Sequence, residues 1–375
     1  MHYPEYPVGE KTKGDHSLYF DNLIPYPMNP LKQVLGIDVS QKELVVSLGK
    51  MNADLSLELY AKRTFANTET GFRTLKKWTD RLTSNEIPVH YVMEATGVYH
   101  QRFAYFLDGS GQQLSIVLPN KISNYMRTLD NKTVTDSTCA EAIAQFGLER
   151  KLDSWKRPSG VYKKLQQLTR ERSQVVDERT VAKCQLHAEN AEAQPNANSL
   201  KRLKARIKFL SQQEKEIKED IERCIKEEQT VEGIIENLTS IPGVGRLTAA
   251  IVLAETNGFE LIRNKKQLTS YAGLDVREKQ SGTSVKGRPR ISKKGNRNLR
   301  KSMYLPALTA VRHIHHYKEL YARLVGRTGI KMKGLVAVQR KLLELMYVLF
   351  KNGTCFDHDH VKSAATKAGT LLKLA

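Results

Sequence analysis

The sequence predicts an α/β domain followed by a long helical region and a compact, basic, mostly helical domain. Three observations carry this. Short apolar runs alternate with helical spacings from Val34 to about Gly147. Two long segments, 161–190 and 199–228, repeat apolar residues at roughly heptad period. The charge is divided unevenly: residues 1–150 hold 16 basic and 17 acidic side chains, while residues 151–375 hold 44 and 23. The first part is therefore near −1 and the second near +21, within a total of +20 over 375 residues.

Residues 1–33 are rich in Pro, Gly and Tyr and read as an irregular extension. Val34–Val39 is a short apolar strand carrying one acid, Asp38. Glu43–Leu48 and Asp54–Phe65 read as the next two strands, and Thr68–Arg81 has helical apolar spacing. Val89–Met93 is a strand ending at a second acid, Glu94; Val98–Leu107 is helical and Leu114–Val117 is a strand broken by Pro119. Thr135 caps a helix reaching about Gly147, with Asp136 in its first turn.

The helical region follows. Leu200, Leu203, Ile207, Leu210, Ile217 and Ile221 form one seam. Val161, Leu165, Leu168, Val175, Ala182 and Leu186 form another, and Pro195 separates the two helices. The pattern fits a hairpin within one chain or a coiled coil joining subunits. Beyond it, Ile241-Pro-Gly-Val-Gly-Arg246 between helical patterns resembles a helix-hairpin-helix, with Gly243 and Gly245 permitting a tight turn. Backbone N–H groups there, beside Arg246, would hold a DNA phosphate; a plain interhelical turn is the other reading. The division expected is 1–33 extension, 34–155 α/β domain, 156–230 coiled coil or hairpin, 231–352 C-terminal domain and 353–375 tail.

Composition excludes several classes. No apolar run reaches the roughly 18 residues of a membrane helix, and the N-terminus lacks a signal-peptide core. A cytoplasmic, nucleoid-associated protein with no membrane partner is expected. The cysteines 139, 184, 224 and 355 stand far apart with no CxxC, and the histidines form no zinc spacing. A half carrying +21 points to a polyanion.

Two constellations could carry chemistry. Asp38, Glu94 and Asp136, brought together on an α/β sheet, would bind Mg²⁺ through hard oxygen ligands, with Mn²⁺ as the alternative. The second is Gln280-Ser281-Gly282-Thr283-Ser284 before a basic stretch. That stretch holds Lys286, Arg288, Arg290, Lys293, Lys294, Arg297, Arg300 and Lys301 without an acid. Its cations would clamp backbone phosphates, and a serine there, Ser281 or Ser284, could attack a phosphate held by them.

At these residues the chain resembles the DEDD transposases/recombinases of bacterial insertion sequences, the one-ten and eleven-eleven group that includes pilin-gene invertases. The matching pieces are GIDVSQK (36–42), EATGVYH (94–100), LPNKISNY (118–125) and TVTDSTCAEAIAQFG (133–147), then IPGVGRLTAA (241–250), QLTSYAGLDVREKQSG (267–282) and ISKKGNRNLR (291–300). The resemblance implies a ribonuclease H-like (RuvC-like) first domain, a coiled coil and a C-terminal transposase domain. It implies homodimers assembling into homotetramers, and recombination of donor and target double-stranded DNA under a noncoding bridge RNA. Asp38, Glu94 and Asp136 match the first three family acids. Ser281 matches a serine that joins covalently to a DNA end, and Asn296 falls among the nucleic-acid-binding residues. The chain departs at Cys139, where the usual fourth acid would stand; a thiol is a doubtful Mg²⁺ ligand. Glu141 is the nearest substitute, but its spacing from Asp136 turns it to another helix face. The expectation is an RNA-guided DNA recombinase working through a serine–DNA intermediate. The alternatives are a Mg²⁺-dependent junction nuclease and a non-catalytic nucleic-acid-binding protein weakened at Cys139.

Overall fold

The computed structural model describes residues 30–357, apart from 85, 96, 130–132, 279, 283–284 and 288. The 1–29 part of the extension, the 358–375 part of the tail, Ser284 and Arg288 lie outside the described residues. The chain divides into two compact units, Met1–Arg157 and Pro158–Ala375.

The first unit is built on a five-stranded mixed sheet. β1 (Lys32–Val39), β2 (Glu43–Met51) and β3 (Leu57–Ala66) form an antiparallel meander, followed by α1 (Glu69–Leu82) and β4 (Val89–Glu94). Then come α2 (Gln101–Gly109), β5 (Gln113–Val117), α3 (Pro119–Met126) and α4 (Asp136–Glu149). The strand order is β3-β2-β1-β4-β5, with β1, β4 and β5 parallel. This is a ribonuclease H-like arrangement. The period of two along a strand sorts β1 cleanly. Leu35, Ile37 and Val39 pack with Phe72, Leu75, Phe103 and Leu107 of α1 and α2. Val34 turns to the other face, into a core with Val92, Ile122 and Ile143.

Two local readings change. The third strand begins at Leu57, because Asn52–Ser56 closes a turn with Leu55 at φ 66°. Pro119 does more than end β5: it sits in the first turn of α3, where its missing N–H costs nothing.

The second unit is mostly helical. α5 (Gly160–Ala191) and α6 (Ala197–Lys226) pack against each other as a long pair. The remaining helices are α7 (Gln229–Thr239), α8 (Arg246–Thr256), α9 (Lys265–Tyr271), α10 (Arg297–Ser302), α11 (Tyr304–His313), α12 (His315–Thr328) and α13 (Lys331–Asn352). Between α9 and α10, β6 (Val276–Arg277) pairs with β9 (Arg290–Ile291), and β7 (Gln280–Ser281) with β8 (Val285–Lys286). Leu165 of α5 and Ile221 and Ile225 of α6 share one core with Leu253, Phe259, Leu342 and Met346. The base of the helical pair is thus continuous with the helices after it. Toward its tip, Leu200, Leu203 and Ile207 are only half-buried.

Candidate active site

The acids converge because α4 lies unusually close to the sheet. Val34, Gly36 and Asp38 share one face of β1, as Val92 and Glu94 do on β4. A Cβ at Gly36 would stand 2.2 Å from the Ala144 nitrogen and 2.4 Å from the Ala140 oxygen. One at Gly147 would stand 2.7 Å from Val34 and 2.9 Å from Val92. The helix therefore runs antiparallel to β1, backbone against backbone. Asp136, Cys139, Ala140, Ile143, Ala144 and Gly147 lie on its sheet-facing stripe. This brings the start of α4 to the strand ends carrying Asp38 and Glu94.

Both ends of α4 are fixed. Thr135 Oγ1 accepts from the Thr138 N–H at 3.2 Å, and the Thr135 N–H donates to Thr138 Oγ1 at 2.9 Å. At the other end, Lys32 Nζ donates to the carbonyls of Gly147, Leu148 (3.3 Å) and Arg150 (2.9 Å). Asn67, which the sequence reading passed over, braces the rim: its amide donates to the carbonyls of Ser40 (2.9 Å) and Tyr99 (3.2 Å). These loops follow β1 and β4, so one buried side chain holds the edges beside both acids.

Electrostatics register the convergence. Burial raises the Asp38 pKa, the charge of Asp136 raises it further, and a hydrogen bond from the Val39 backbone opposes both. Burial and then the charge of Asp38 raise Glu94. The Cys139 thiol is pushed up by burial and by Asp38, Glu94 and Asp136 in turn, so it holds its proton. Its sulfur lies 4.0 Å from that of Met126. Glu141 does not substitute for an acid there: it pairs with Lys62 of β3 and accepts from Ser137. The carboxylates suit Mg²⁺ in kind, and the thiol does not. Among the described residues, no three such side chains are drawn together tightly enough to hold an ion.

The other candidates lie in the second unit. Gly243 has φ 93°, and a Cβ there would meet Thr309 at 2.7 Å and the Pro306 carbonyl at 3.0 Å. It is packed against α11. Gly245 precedes α8 with open space beside it, and no side chain caps that helix. Arg246 is bound to Glu222 at 2.9 Å and approaches Glu232 at 3.6 Å.

The basic stretch splits into held and free members. Asn296 caps α10 and donates to Glu255 at 2.7 Å; Asn298 donates to the same carboxylate at 3.0 Å. Glu255 is 1% exposed and also receives the Arg170 fork at 2.8 and 2.7 Å. Arg300 donates to the Ala272 carbonyl at 2.7 Å, and Lys301 pairs with Asp177 at 2.8 Å. Arg290, Lys293, Lys294 and Arg297 are exposed, with no ion pair among the described residues. Ser281 and Lys286 lie in the short strands β7 and β8.

A family model for the transposase of the IS116/IS110/IS902 family matches residues 235–322. A transposase model of the IS110 DEDD type matches residues 35–189, a span containing all three acids. The chain belongs to the IS110 family of DEDD transposases. This transposase is 25% identical over 331 residues to the pilin gene-inverting protein of Moraxella bovis, covering 87% of this chain and 98% of that one. It is 31% identical over 120 residues to an insertion element IS110 protein of Streptomyces coelicolor, covering 32% and 29%. It is also 32% identical over 120 residues to the transposase for insertion sequence element IS1111A of Coxiella burnetii, covering 30% and 32%. Among solved structures, T. thermophilus RuvC in complex with a Holliday junction substrate aligns at TM-score 0.26 and 9% identity, over 33% of this chain and 99% of that one.

These findings correct the serine–DNA intermediate expected from the resemblance. The DEDD domain model encompasses Asp38, Glu94 and Asp136; Asp38 and Glu94 stand at the ends of neighbouring strands of the ribonuclease H-like sheet, and Asp136 begins the helix beside them. The enzyme is a nuclease-type transposase acting through an acidic site, nearer to the metal-dependent nuclease held as an alternative.

Proposed function

We propose that this transposase cuts DNA phosphodiesters at the edge of the sheet formed by the ends of β1 and β4, with Asp38, Glu94 and Asp136 holding a divalent cation. The observation that carries the reading is the meeting of three carboxylates from separate elements: beyond burial, Asp136 raises Asp38 and Asp38 raises Glu94, and none of the three has an ion pair among the described residues. When bound, Mg²⁺ supplies Lewis acidity toward the scissile phosphate. The chain does the rest. Asp38 and Glu94 fix the opening from neighbouring parallel strands. Asp136, exposed at the first position of α4, is free to swing toward them and complete the set. The positive end of the α4 dipole offsets part of the negative charge that would otherwise repel a phosphate. Cys139 remains a neutral neighbour and leaves the fourth position without a carboxylate.

The reading extends to partners. Donor and target DNA would be held by the basic second unit, through the α8 N-terminus beside Gly245 in a helix-hairpin-helix-like α7–α8 pair and through Arg290, Lys293, Lys294 and Arg297. A noncoding bridge RNA is the guide that the resemblance adds. A homodimer assembling into a homotetramer is supported by the half-buried seam of α6 and by Phe209, 62% exposed on the same helix. No described helix is long and apolar enough to cross a membrane; the proposed setting is the bacterial nucleoid.

The test is DNA cleavage by the full chain in Mg²⁺, with the RNA encoded beside the gene and both DNAs. Asp38→Asn should lower the rate at least about a hundredfold, from several kcal/mol of lost charge stabilisation, while the fold is retained. Cys139→Asp should lower the Mg²⁺ concentration for half-maximal rate. Ser281→Ala should still cut; a folded Ser281→Ala protein unable to cut would overturn the acidic-site reading.

A further inference from the structure

Within the second unit, α5, α8, the start of α11 and α13 enclose a cleft of about 830 Å³, in the range of roughly 300–1,000 Å³ typical of small-ligand sites. Its floor is apolar, formed by Leu247 and Ile251 of α8 and Val336 of α13. The Tyr304 ring, partly exposed, stands at its side.

Among the polar residues of its lining, one amide stands out. Gln339 of α13 lines the cleft and is 4% exposed. Its amide makes no hydrogen bond among the described residues, yet neither polar atom is among the fully occluded orphans. The amide thus keeps slight access, and the residue borders the cleft. A buried amide left without partners is costly, so the arrangement points to a ligand that completes it.

The rim supplies the charge. Arg170, Arg172 and Lys301 border the cleft but are taken up by Glu255, Glu214 and Asp177. Lys293 and Arg297 border it too, and neither has an ion pair among the described residues. Lys293 is held at φ 53°, uncommon for a side chain-bearing residue, by its N–H bond to the Gly273 carbonyl at 3.1 Å. Two cations without ion pairs, apolar walls with an aromatic ring, and an amide without a hydrogen bond form the complement of a nucleotide, whereas the Asn298 amide, which also borders the cleft, is bound to Glu255. The phosphate meets the cations, the flat base meets the walls, and the base edge meets the amide. A glutamine amide can bond an adenine edge at two points.

We propose that this cleft receives a single unpaired nucleotide, turned out of a DNA or RNA strand, with its base edge read by Gln339 and its phosphate held by Lys293 and Arg297. The proposal rests on the nucleic-acid-handling reading of the second unit and gives it a base-recognising site. A base stacked in a duplex cannot enter, so the strand must be single or locally opened.

The test uses the full chain and fluorescein-labelled thymine strands carrying one adenine, with the same strands abasic at that position, in DNA and RNA versions. The wild-type chain should bind the adenine strand about tenfold tighter than the abasic one in at least one version, which identifies the strand type. Gln339→Met, close in volume but without donor or acceptor, should bring that ratio to about one. Ile251→Phe, which narrows the floor from the other wall, should do the same. Lys293→Ala with Arg297→Ala should weaken both strands and flatten the salt dependence. Equal wild-type affinity for intact and abasic strands, with strand binding present, would overturn the cleft proposal and leave the DNA-cutting reading standing. No binding to any strand or to duplex DNA would overturn both.

Discussion

Each unit carries carboxylates withdrawn from water, and they behave in opposite ways. In the first unit Asp38 and Glu94 sit where burial and neighbouring acids raise their pKa values. In the second, Glu214 is pulled down to about 2, because hydrogen bonds and charges from Lys218, Arg172 and Arg179 outweigh its burial. The contacts are 3.0, 2.6 and 2.5 Å. Glu255 is likewise lowered against burial by Arg170, Asn296 and Asn298. Burial alone does not separate the two pairs. Their partners do: Glu214 and Glu255 are satisfied by cations and amides and brace helices, while Asp38 and Glu94 keep a field that a cation could neutralise.

The contrast can be broken experimentally. Beyond the loss of cleavage in Asp38→Asn, the largest effect should come from Glu255→Ala. It strips Arg170 and the two asparagines of their partner and should cost about 2–3 kcal/mol, less than for a fully orphaned buried charge because Arg170 reaches solvent. The midpoint of urea unfolding followed by far-UV circular dichroism should fall. The fluorescence midpoint should move less, since both tryptophans, Trp78 and Trp155, lie in the first unit. If both midpoints moved equally, the units could not be treated as separately braced.

Gly36→Ala probes the other side. Its new methyl would collide with the α4 backbone, for about 1–3 kcal/mol of overpacking. Here the fluorescence midpoint should lead, and cleavage should drop as Asp136 withdraws. Unchanged cleavage would mean that the approach of α4 does not set the site.

Acidification should give the smallest effect. The folded pKa of Glu214 lies below the ordinary glutamate value of 4.5. Its contribution is therefore complete above about 4.5 and is lost as pH falls toward 2, roughly 1–2 kcal/mol after screening of the exposed Lys218. Asp38 and Glu94 have the opposite sign, so protonating them relieves repulsion. Glu214→Gln should flatten the acid limb of the circular dichroism midpoint; an acid limb as steep as in the wild type would contradict the assignment.

Much of the fold is legible in the sequence because its signals are local. The apolar runs ending at Asp38 and Glu94 and the Thr135 cap require no distant partner to be read. α3 escapes because Pro119 marks both a strand's end and a helix's start. The convergence of the acids escapes for another reason: it depends on Gly36 meeting Ala140 and Ala144, more than a hundred residues away, and a glycine inside a strand advertises nothing specific. In the basic stretch, Arg297 and Arg300 look alike in sequence. Only the folded chain distinguishes a guanidinium tied to the Ala272 carbonyl from one left facing a cleft. Gln339, an amide among apolar residues of α13, carries no local signal at all.

The contact of α4 with β1 also bears on how this site can change over generations. Elsewhere in a core, a larger side chain can be accommodated by a smaller one opposite. At Gly36 the opposing atoms belong to the main chain, which has nothing to shorten. The spacing between Asp136 and the strand ends is thus inherited with the path of the backbone. The position one helical turn on, held by Cys139, is half-exposed and free of that constraint, so a change of side chain there leaves the path of the backbone untouched.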